Sequence, residues 1–157
     1  LSPFGANTTT TPAGSNIRGN RQEKKDMFEI VAAHGIKYAA TASVGYLNDF
    51  IDKVQKASQI KGTTYIHVIA PCPVGWRSDS AKTVQIGREI VDNGLWPLAE
   101  FENGEFILNK DPKEFKPVEG YLKAQGRFSH LTEEEIKHIE AYRDKKWEKI
   151  RRNWRTN

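Results

Sequence analysis

Residues 63–70, TTYIHVIA, form the strongest strand signal in the sequence and decide its fold class. β-Branched and aromatic residues dominate the segment, and apolar side chains occupy both sets of alternating positions. This pattern is typical of a parallel strand covered on both faces, because a strand with one wet face alternates apolar and polar residues. The segment therefore predicts a buried strand in a parallel sheet.

Helical periodicity flanks this strand on both sides, in segments that each end at a glycine. The first runs from Lys24, the second covers residues 48–61, and the third covers residues 80–93. A short apolar strand, residues 36–42 (IKYAATA), separates the first helix from the second. The alternation of helices and strands indicates an α/β fold with a parallel sheet and right-handed crossovers. In the second helix, one face carries apolar residues at helical spacing: Ile51, Val54 and Ala57.

The pattern of the chain changes after the third helix. Residues 96–102 and 105–108 flank Asn103-Gly104, which is a strong β-hairpin signal. A capping box at residues 132–135 (TEEE) starts a final amphipathic helix. We therefore divide the chain into a loop over residues 1–23, an α/β unit over 24–95, a hairpin and linker over 96–130, and a C-terminal amphipathic helix over 131–157.

The composition is that of a soluble globular protein. Of the 157 residues, 38% are hydrophobic and 28% are charged, and the formal net charge is +4. The single cysteine excludes an internal disulfide framework, and no apolar run approaches the ~20 residues of a membrane span. The first residues lack the regions of a secretion signal, so a cytoplasmic location is expected. Because the chain begins with Leu1 in a loop-like segment, we interpret it as a piece of a longer protein.

The only cysteine, Cys72, follows the predicted buried strand and lies between Pro71 and Pro73. Ligands of open α/β sheets bind outside the carboxyl ends of the strands, which is where this thiol is expected. The two prolines fix the backbone and prevent the segment from extending the sheet, and Trp76 offers an apolar shield. A rigid, partly dehydrated thiolate suits ligation of a metal or an iron–sulfur cluster. It suits a catalytic nucleophile less well, and a passive buried cysteine remains an alternative.

Other polar segments allow two interpretations each. Threonines 8–11, with Gly14 and Gly19, could line a cofactor channel, since free N–H groups and hydroxyls suit phosphates, or could form a surface linker. His67, inside the predicted strand, is interpreted as a hydrogen-bonded core histidine. Four basic residues could meet the phosphates of coenzyme A or an acidic partner, or could form a solvated helix start: Arg18, Arg21, Lys24 and Lys25.

The tail KKWEKIRRNWR interleaves basic residues with tryptophans, which superficially suggests nucleic-acid binding. A helix that docks on its own domain or on a partner subunit explains the same pattern with fewer assumptions. We therefore expect docking, and we do not expect nucleic acid as a partner.

Several strings together resemble one family. They are SPFGANTTTTPAG, KKD, AAHGIKYAATAS, YIHVIAPCPVGW, NGLWPLAEFENG and the tail KPVEGYLKAQGRFSHLTEEEI. The chain resembles the C-terminal half of the thiamine-diphosphate-binding β subunit of the 2-oxoacid:ferredoxin oxidoreductases, and the pyruvate enzymes most closely. The resemblance covers nearly the whole chain. It implies the parallel-sheet thiamine-diphosphate-binding fold, with a β-hairpin and a C-terminal helical extension.

The resemblance also implies a role for the cysteine. In this family the cysteine that matches Cys72 is a thiolate ligand of a [4Fe–4S] cluster close to the thiamine. The other three cysteines, and the Gly-Asp-Gly segment that holds Mg²⁺ and the diphosphate, belong to a half that this sequence lacks. The chain alone is therefore expected to bind neither thiamine diphosphate nor a complete cluster.

The implied function is that of one component of a larger enzyme. Within the assembly a 2-oxoacid, with pyruvate favoured, would be decarboxylated, electrons would pass through the cluster to ferredoxin, and the acyl group would pass to coenzyme A. The implied partners are the α subunit and other subunits of the oxidoreductase, ferredoxin, coenzyme A and the 2-oxoacid, with no membrane. No catalytic residue is assigned to this chain. The alternative is a non-catalytic α/β interaction module or scaffold subunit whose cysteine is passive.

Overall fold

The structure is a computed structural model and describes residues 2–11 and 19–155, with the backbone alone for residues 153–155. Gly14, Arg18 and the side chain of Trp154, which bear on the predictions above, lie outside this part. The helices are α1 (Met27–Ala32), α2 (Leu47–Gln59), α3 (Pro73–Trp76), α4 (Thr83–Asp92), α5 (Val118–Lys123) and α6 (Glu133–Arg155). The strands are β1 (Tyr38–Ser43), β2 (Thr64–Ile69), β3 (Ala99–Glu102) and β4 (Glu105–Leu108). Two 3₁₀ turns span Ser80–Lys82 and Gly126–Phe128.

The four strands form one mixed sheet in the order β2-β1-β3-β4. β1 and β2 run parallel, with Ala39 opposite Tyr65. The β3–β4 hairpin lies along the other side of β1 in antiparallel orientation. Its turn residues Asn103 and Gly104 have φ of 51° and 90°, the positive values that a tight hairpin turn requires. The structure thus confirms the predicted α/β fold, and it shows that both hairpin strands belong to the same sheet as the parallel pair.

The most buried strand is β1 and not β2, which corrects the prediction made from residues 63–70. All six residues of β1 are buried, because the strand lies between β2 and β3 and contacts α1, α2 and α4. β2 is instead an edge strand of the sheet, and each of its six residues is partly exposed. Within the part of the chain that the structure describes, this strongly apolar strand therefore has one edge that pairs with no other strand.

The apolar face of helix α2 points away from the core. Ile51 and Val54 are 43% and 45% exposed, whereas Lys53 is only 2% exposed. The Nζ of Lys53 donates to the Thr41 carbonyl oxygen at 2.8 Å and forms an ion pair with Asp49 at 2.7 Å. Burial lowers the pKa of Lys53, and the Asp49 carboxylate opposes that change. The helix thus covers the sheet with a paired lysine and leaves its apolar stripe exposed.

The core consists of two apolar clusters. One joins α4, α5 and the second 3₁₀ turn around Ile86, Val118 and Phe128. The other joins α1, the sheet and α6 around Phe28 and Trp147. None of the helices within residues 2–11 and 19–155 is both long and apolar enough to cross a membrane.

Helix α6 docks on the rest of the chain through Trp147, as the docking interpretation predicts. This indole is 1% exposed, its Nε1–H donates to the Gly94 carbonyl oxygen at 2.7 Å, and its ring centroid lies 5.2 Å from that of Phe115. Two lysines of the same helix form ion pairs with acidic residues at the start of α1: Lys146 with Asp26, and Lys149 with Glu29. Trp147 therefore packs in the core and is not available for stacking on a base.

Candidate cofactor site beyond the parallel strands

Cys72 lies where the rule for open sheets predicts it, three residues after the last residue of β2. It occupies the N-cap position of the short helix α3, and its carbonyl oxygen accepts a hydrogen bond from the Trp76 N–H at 2.8 Å. Pro71 is buried before it and Pro73 opens the helix after it. The thiol itself is free and exposed. The structure therefore contradicts a buried cysteine, and it holds the sulfur on a backbone that cannot continue the strand.

A cavity of about 870 Å³ opens beside this sulfur. Its walls come from the end of β2, the N-terminal loop, α1, α3, the second 3₁₀ turn and α6, with Cys72, His67, Trp76, Trp96 and Arg127 among the lining residues. This volume is in the range of small-molecule and cofactor sites. The position beyond the strand ends and the size together make the cavity the candidate functional site.

The backbone next to the sulfur leaves room for a ligand. A Cβ placed on Gly75 would lie 3.5 Å from Cys72 Sγ and 3.9 Å from Cys72 Cβ, an ordinary van der Waals contact, so a side chain at this position would cover part of the sulfur that the glycine leaves open. The described ranges contain no group of three or more His, Cys, Asp or Glu residues arranged to hold a metal ion. A [4Fe–4S] cluster takes four thiolates, and the sequence contains one cysteine. Cys72 therefore fits a single ligand position, and the others require residues from outside this sequence.

The lining of the cavity is positively charged. Six basic residues contribute to it, against three acidic ones: Lys24, Lys25, Arg77, Arg127, Arg143 and Lys146, against Glu23, Asp26 and Glu29. Of the other predicted basic residues, Arg21 forms an ion pair with Glu135 instead of facing the cavity. A low-dielectric wall with this excess of cations attracts anions.

The carboxylate of Asp26 forms an ion pair with Lys146, whereas the ammonium group of Lys24 lies over an aromatic ring. The Nζ of Lys24 lies 4.8 Å from the Trp96 ring centroid, and burial, followed by the positive charges of Lys146 and Arg127, lowers the pKa of Lys24. Burial opposes ionisation of Asp26, but the ion pair with Lys146 at 2.6 Å and backbone hydrogen bonds hold its pKa below the usual value. Asp26 thus neutralises Lys146 and leaves Lys24 as an excess cation.

His67 lines the cavity and is not the core histidine that the sequence predicts. It is partly exposed, and its ring contacts Trp96 edge-on at a centroid distance of 4.8 Å. Burial, followed by the positive charge of Lys24, lowers the pKa of His67, so the imidazole is neutral at neutral pH. Trp96 itself is largely buried and donates its Nε1–H to the Ala42 carbonyl oxygen at 3.0 Å. The indole therefore packs in the core, while its ring also forms part of the cavity wall.

The N-terminal loop supplies another wall of the cavity. Thr8 closes the loop by donating its N–H to Thr11 Oγ1 at 2.9 Å, and residues 8–10 line the cavity. The loop is held by a close approach of Gly19, which has φ +77° and where a Cβ would lie 2.5 Å from the Gly5 carbonyl oxygen. The threonines therefore lie at the cavity, which the cofactor-channel interpretation requires; whether they contact a cofactor stays a prediction.

Arg127 is a site residue that the sequence did not indicate. It is 5% exposed, its Cζ lies 3.7 Å from the Trp76 ring centroid, and it lines the cavity. It belongs to a 3₁₀ turn in a segment without periodicity, so neither spacing nor an adjoining motif marks it. Only the tertiary contact with Trp76, four residues after the cysteine, connects it with the site.

The comparisons with known proteins identify relatives along nearly the whole chain. It is 52% identical over 144 residues to pyruvate synthase subunit PorB of Methanocaldococcus jannaschii, covering 92% of this chain and 48% of that protein. It is 52% identical over 147 residues to PorB of Methanosarcina barkeri, covering 90% and 50%. It is 43% identical over 152 residues to ketoisovalerate oxidoreductase subunit VorB of Pyrococcus abyssi, covering 96% and 49%. No family model matches the chain.

These relatives agree with the resemblance found in the sequence motifs. The chain spans about half the length of the curated relatives it matches, and the identity is spread over almost all of its own length. It therefore belongs to the family of the PorB and VorB subunits and corresponds to the C-terminal part of such a subunit.

Proposed function

We propose that the chain is part of the β subunit of a 2-oxoacid:ferredoxin oxidoreductase, with pyruvate as the favoured substrate. Pyruvate is favoured because four PorB relatives are 48–52% identical to the chain and the VorB relatives 43%, while PorB of Thermotoga maritima, at 42%, is close to the VorB value. The reaction is the coenzyme-A-dependent oxidative decarboxylation of the 2-oxoacid to an acyl-CoA. Other subunits of the complex and ferredoxin are the expected protein partners.

The observation that carries this proposal is the position of the Cys72 sulfur. It is exposed at a positively charged cavity beyond the parallel strands, beside a glycine that leaves space next to it. We assign Cys72 as one thiolate ligand of a [4Fe–4S] cluster. The remaining ligands, Mg²⁺ and the groups that hold the thiamine diphosphate would come from the rest of the subunit.

The cofactors, when bound, supply the carbanion chemistry of decarboxylation and one-electron transfer. The residues of this chain position and shield them. Pro71 and Pro73 fix the backbone that presents the sulfur, while Trp76 and Trp96 line the cavity with apolar rings, which would limit the access of water to a bound cofactor. Lys24 and Arg127 provide positive charge for anionic groups in the cavity.

The predicted division of the chain stays a proposal. In it, residues 24–95 are the C-terminal part of the thiamine-diphosphate-binding domain, residues 1–23 are a loop that continues from the rest of the subunit, residues 96–130 are a hairpin and linker, and residues 131–157 are a helical extension. Limited proteolysis of the complete subunit tests these boundaries, because cleavage is expected near residues 23 and 130 and not within 24–95.

An anaerobic viologen-reduction assay on the native complex that contains this chain tests the proposed reaction. Pyruvate, 2-oxoisovalerate and 2-oxoglutarate are compared with and without coenzyme A. We expect coenzyme-A-dependent reduction, fastest with pyruvate. No reduction with any of the three acids, in a complex that holds iron and thiamine, would contradict the proposed reaction. A lone protein that is stable, colourless and free of cofactors would favour the scaffold alternative.

A further inference from the structure

Arg127 is attached to the segment that carries Cys72. The N–H of Gly126 donates to the Arg77 carbonyl oxygen at 2.9 Å, and the guanidinium of Arg127 stacks on Trp76 with Cζ at 3.7 Å from the ring centroid. Trp76 is in turn bonded through its N–H to the Cys72 carbonyl oxygen at 2.8 Å. The arginine is therefore held in a fixed place behind the short helix that begins at the cysteine.

This buried guanidinium has no anionic partner among residues 2–11 and 19–155. Its Nε–H donates to Gln125 Oε1 at 2.9 Å, and it also contacts the neutral Tyr121 hydroxyl. Burial lowers the pKa of Arg127, and Tyr121 opposes that change, but a guanidinium remains charged at neutral pH. A buried cation without a counter-charge is costly, and the rings of Trp76 and Phe128, 3.7 Å and 4.7 Å from Cζ, offset only part of this cost. An anion in the cavity would therefore stabilise Arg127.

The cavity is the place where that anion can lie. Arg127 and Cys72 both line it, and its three carboxylates do not compensate the arginine, because each contacts another basic side chain: Glu23 contacts His138, Asp26 contacts Lys146 and Glu29 contacts Lys149. The positive charge of Arg127 repels that of Lys24 and contributes to lowering the pKa of Lys24. An anionic group in this cavity would thus meet positive charge from Arg127 and Lys24, neither of which forms an ion pair with a described residue.

We propose that Arg127 is the counter-charge of the iron–sulfur cluster held by Cys72 and raises its reduction potential. This inference rests on the proposed function. Four thiolates give the cluster a net negative charge, and its reduction adds one electron without a proton. In the proposed reaction that electron comes from the substrate during decarboxylation and leaves to ferredoxin. A nearby cation in a low-dielectric site stabilises the more negative, reduced state, so Arg127 acts as a positioning residue for charge and not as a ligand.

The test uses the complete complex that contains this chain. Arg127→Gln removes the charge, Arg127→Lys keeps it, and Arg88→Gln removes an exposed arginine outside the cavity lining as the matched control. Iron content is measured for each variant, and the midpoint potential of the cluster is measured by a redox titration followed by electron paramagnetic resonance. Cys72→Ser is measured in parallel to identify the signal of the cluster at this cysteine.

Arg127→Gln is expected to make reduction of the cluster at least tenfold less favourable, which is a shift of about 59 mV to lower potential for a one-electron couple. Arg127→Lys and Arg88→Gln should stay close to wild type. Loss of iron in Arg127→Gln with retention in Arg127→Lys also supports the proposal, since the charge then decides cluster binding. An unchanged potential in Arg127→Gln, or equal loss of iron in both Arg127 variants, overturns it. If Cys72→Ser leaves the iron content and every signal unchanged, the cluster assignment fails, and this inference fails with it.

Discussion

Replacement of Gly94 by alanine is expected to destabilise the junction between α4 and α6. Gly94 has φ +78°, and a Cβ at this position would lie 2.7 Å from two ring carbons of Phe115 and 3.0 Å from Trp147 Nε1. The indole cannot easily move away, because it is 1% exposed and its Nε1–H is bonded to the Gly94 carbonyl oxygen at 2.7 Å. The junction also forms part of the cavity wall, since Gly94 and residues of α6 line the cavity.

Two separate costs contribute to the loss of stability. A left-handed backbone conformation costs an alanine about 1–2 kcal/mol relative to glycine, and a crowded methyl group in a packed core costs about 1–3 kcal/mol. Gly35→Ala is the matched control, because Gly35 has φ +69° and a Cβ there would meet nothing within 4 Å. The control carries only the backbone cost.

Urea unfolding of the complete subunit measures both variants against wild type. Gly94→Ala should lose about 1–3 kcal/mol more free energy of unfolding than Gly35→Ala, which is the crowding contribution alone. Equal losses in the two variants would refute the reasoning, because they would show that the contact of Trp147 and Phe115 with Gly94 is not tight.

Three further substitutions have expected outcomes. Cys72→Ser in the complete enzyme should lower its iron content and alter its visible spectrum with little change in thermal stability, since one exposed atom is replaced; an unchanged iron content would contradict the ligand assignment. Burial opposes ionisation of Asp92, but hydrogen bonds from Lys110 and Lys116 hold its pKa well below the usual value. Its contribution to stability is therefore fully present above about pH 4 and decreases as the pH falls from there towards the pKa of the folded state. In urea unfolding, Asp92→Asn should lose more stability at pH 7 than near about pH 2, and equal losses would contradict this. The pKa of His67 is lowered in the folded state, so the unfolded chain takes up a proton first and stability falls as the pH decreases through about 6.5. Urea unfolding of His67→Gln should lack this component of the pH dependence, and an unaltered dependence would exclude His67 as its source.

The sequence predicts the order of elements well and their burial less well. Residues 63–70 are correctly predicted as a strand, and β2 spans Thr64–Ile69. Apolar composition, however, indicates only that a strand tends to be buried. Whether both edges of the strand are hydrogen-bonded to neighbouring strands depends on segments that are distant in sequence. The apolar face of α2 is a similar case. Periodicity identifies an amphipathic helix, but the exposure of Ile51 and Val54 follows from the way Lys53 is paired beneath the helix.

The candidate site divides in the same way between local and tertiary information. Cys72 could be placed from the sequence, because a strand followed by Pro-Cys-Pro ends at one edge of a sheet wherever that sheet lies. Arg127 could not, because its role depends on a stacking contact with Trp76, 51 residues earlier in the chain. The burial of His67 was predicted wrongly because its strand was expected to be covered on both faces, whereas every residue of β2 is partly exposed. Sequence patterns thus identify Cys72, whose position follows from its neighbours in sequence. They do not identify Arg127 or the exposure of His67, which depend on tertiary packing.

Three basic side chains at the cavity are held by different partners, and the difference decides the charge of the cavity. Lys146 forms an ion pair with a carboxylate, so this pair is neutral overall. Lys24 and Arg127 lie instead over the rings of Trp96 and Trp76, at 4.8 Å and 3.7 Å from the ring centroids. A ring attracts a cation by about 0.5–2 kcal/mol but carries no net charge, so the positive field of the cation remains. Carboxylates in these two places would hold the cations equally well and would cancel their field. The two tryptophans therefore keep both positive charges available for an anion in the cavity, which is what the proposed cluster at Cys72 would need.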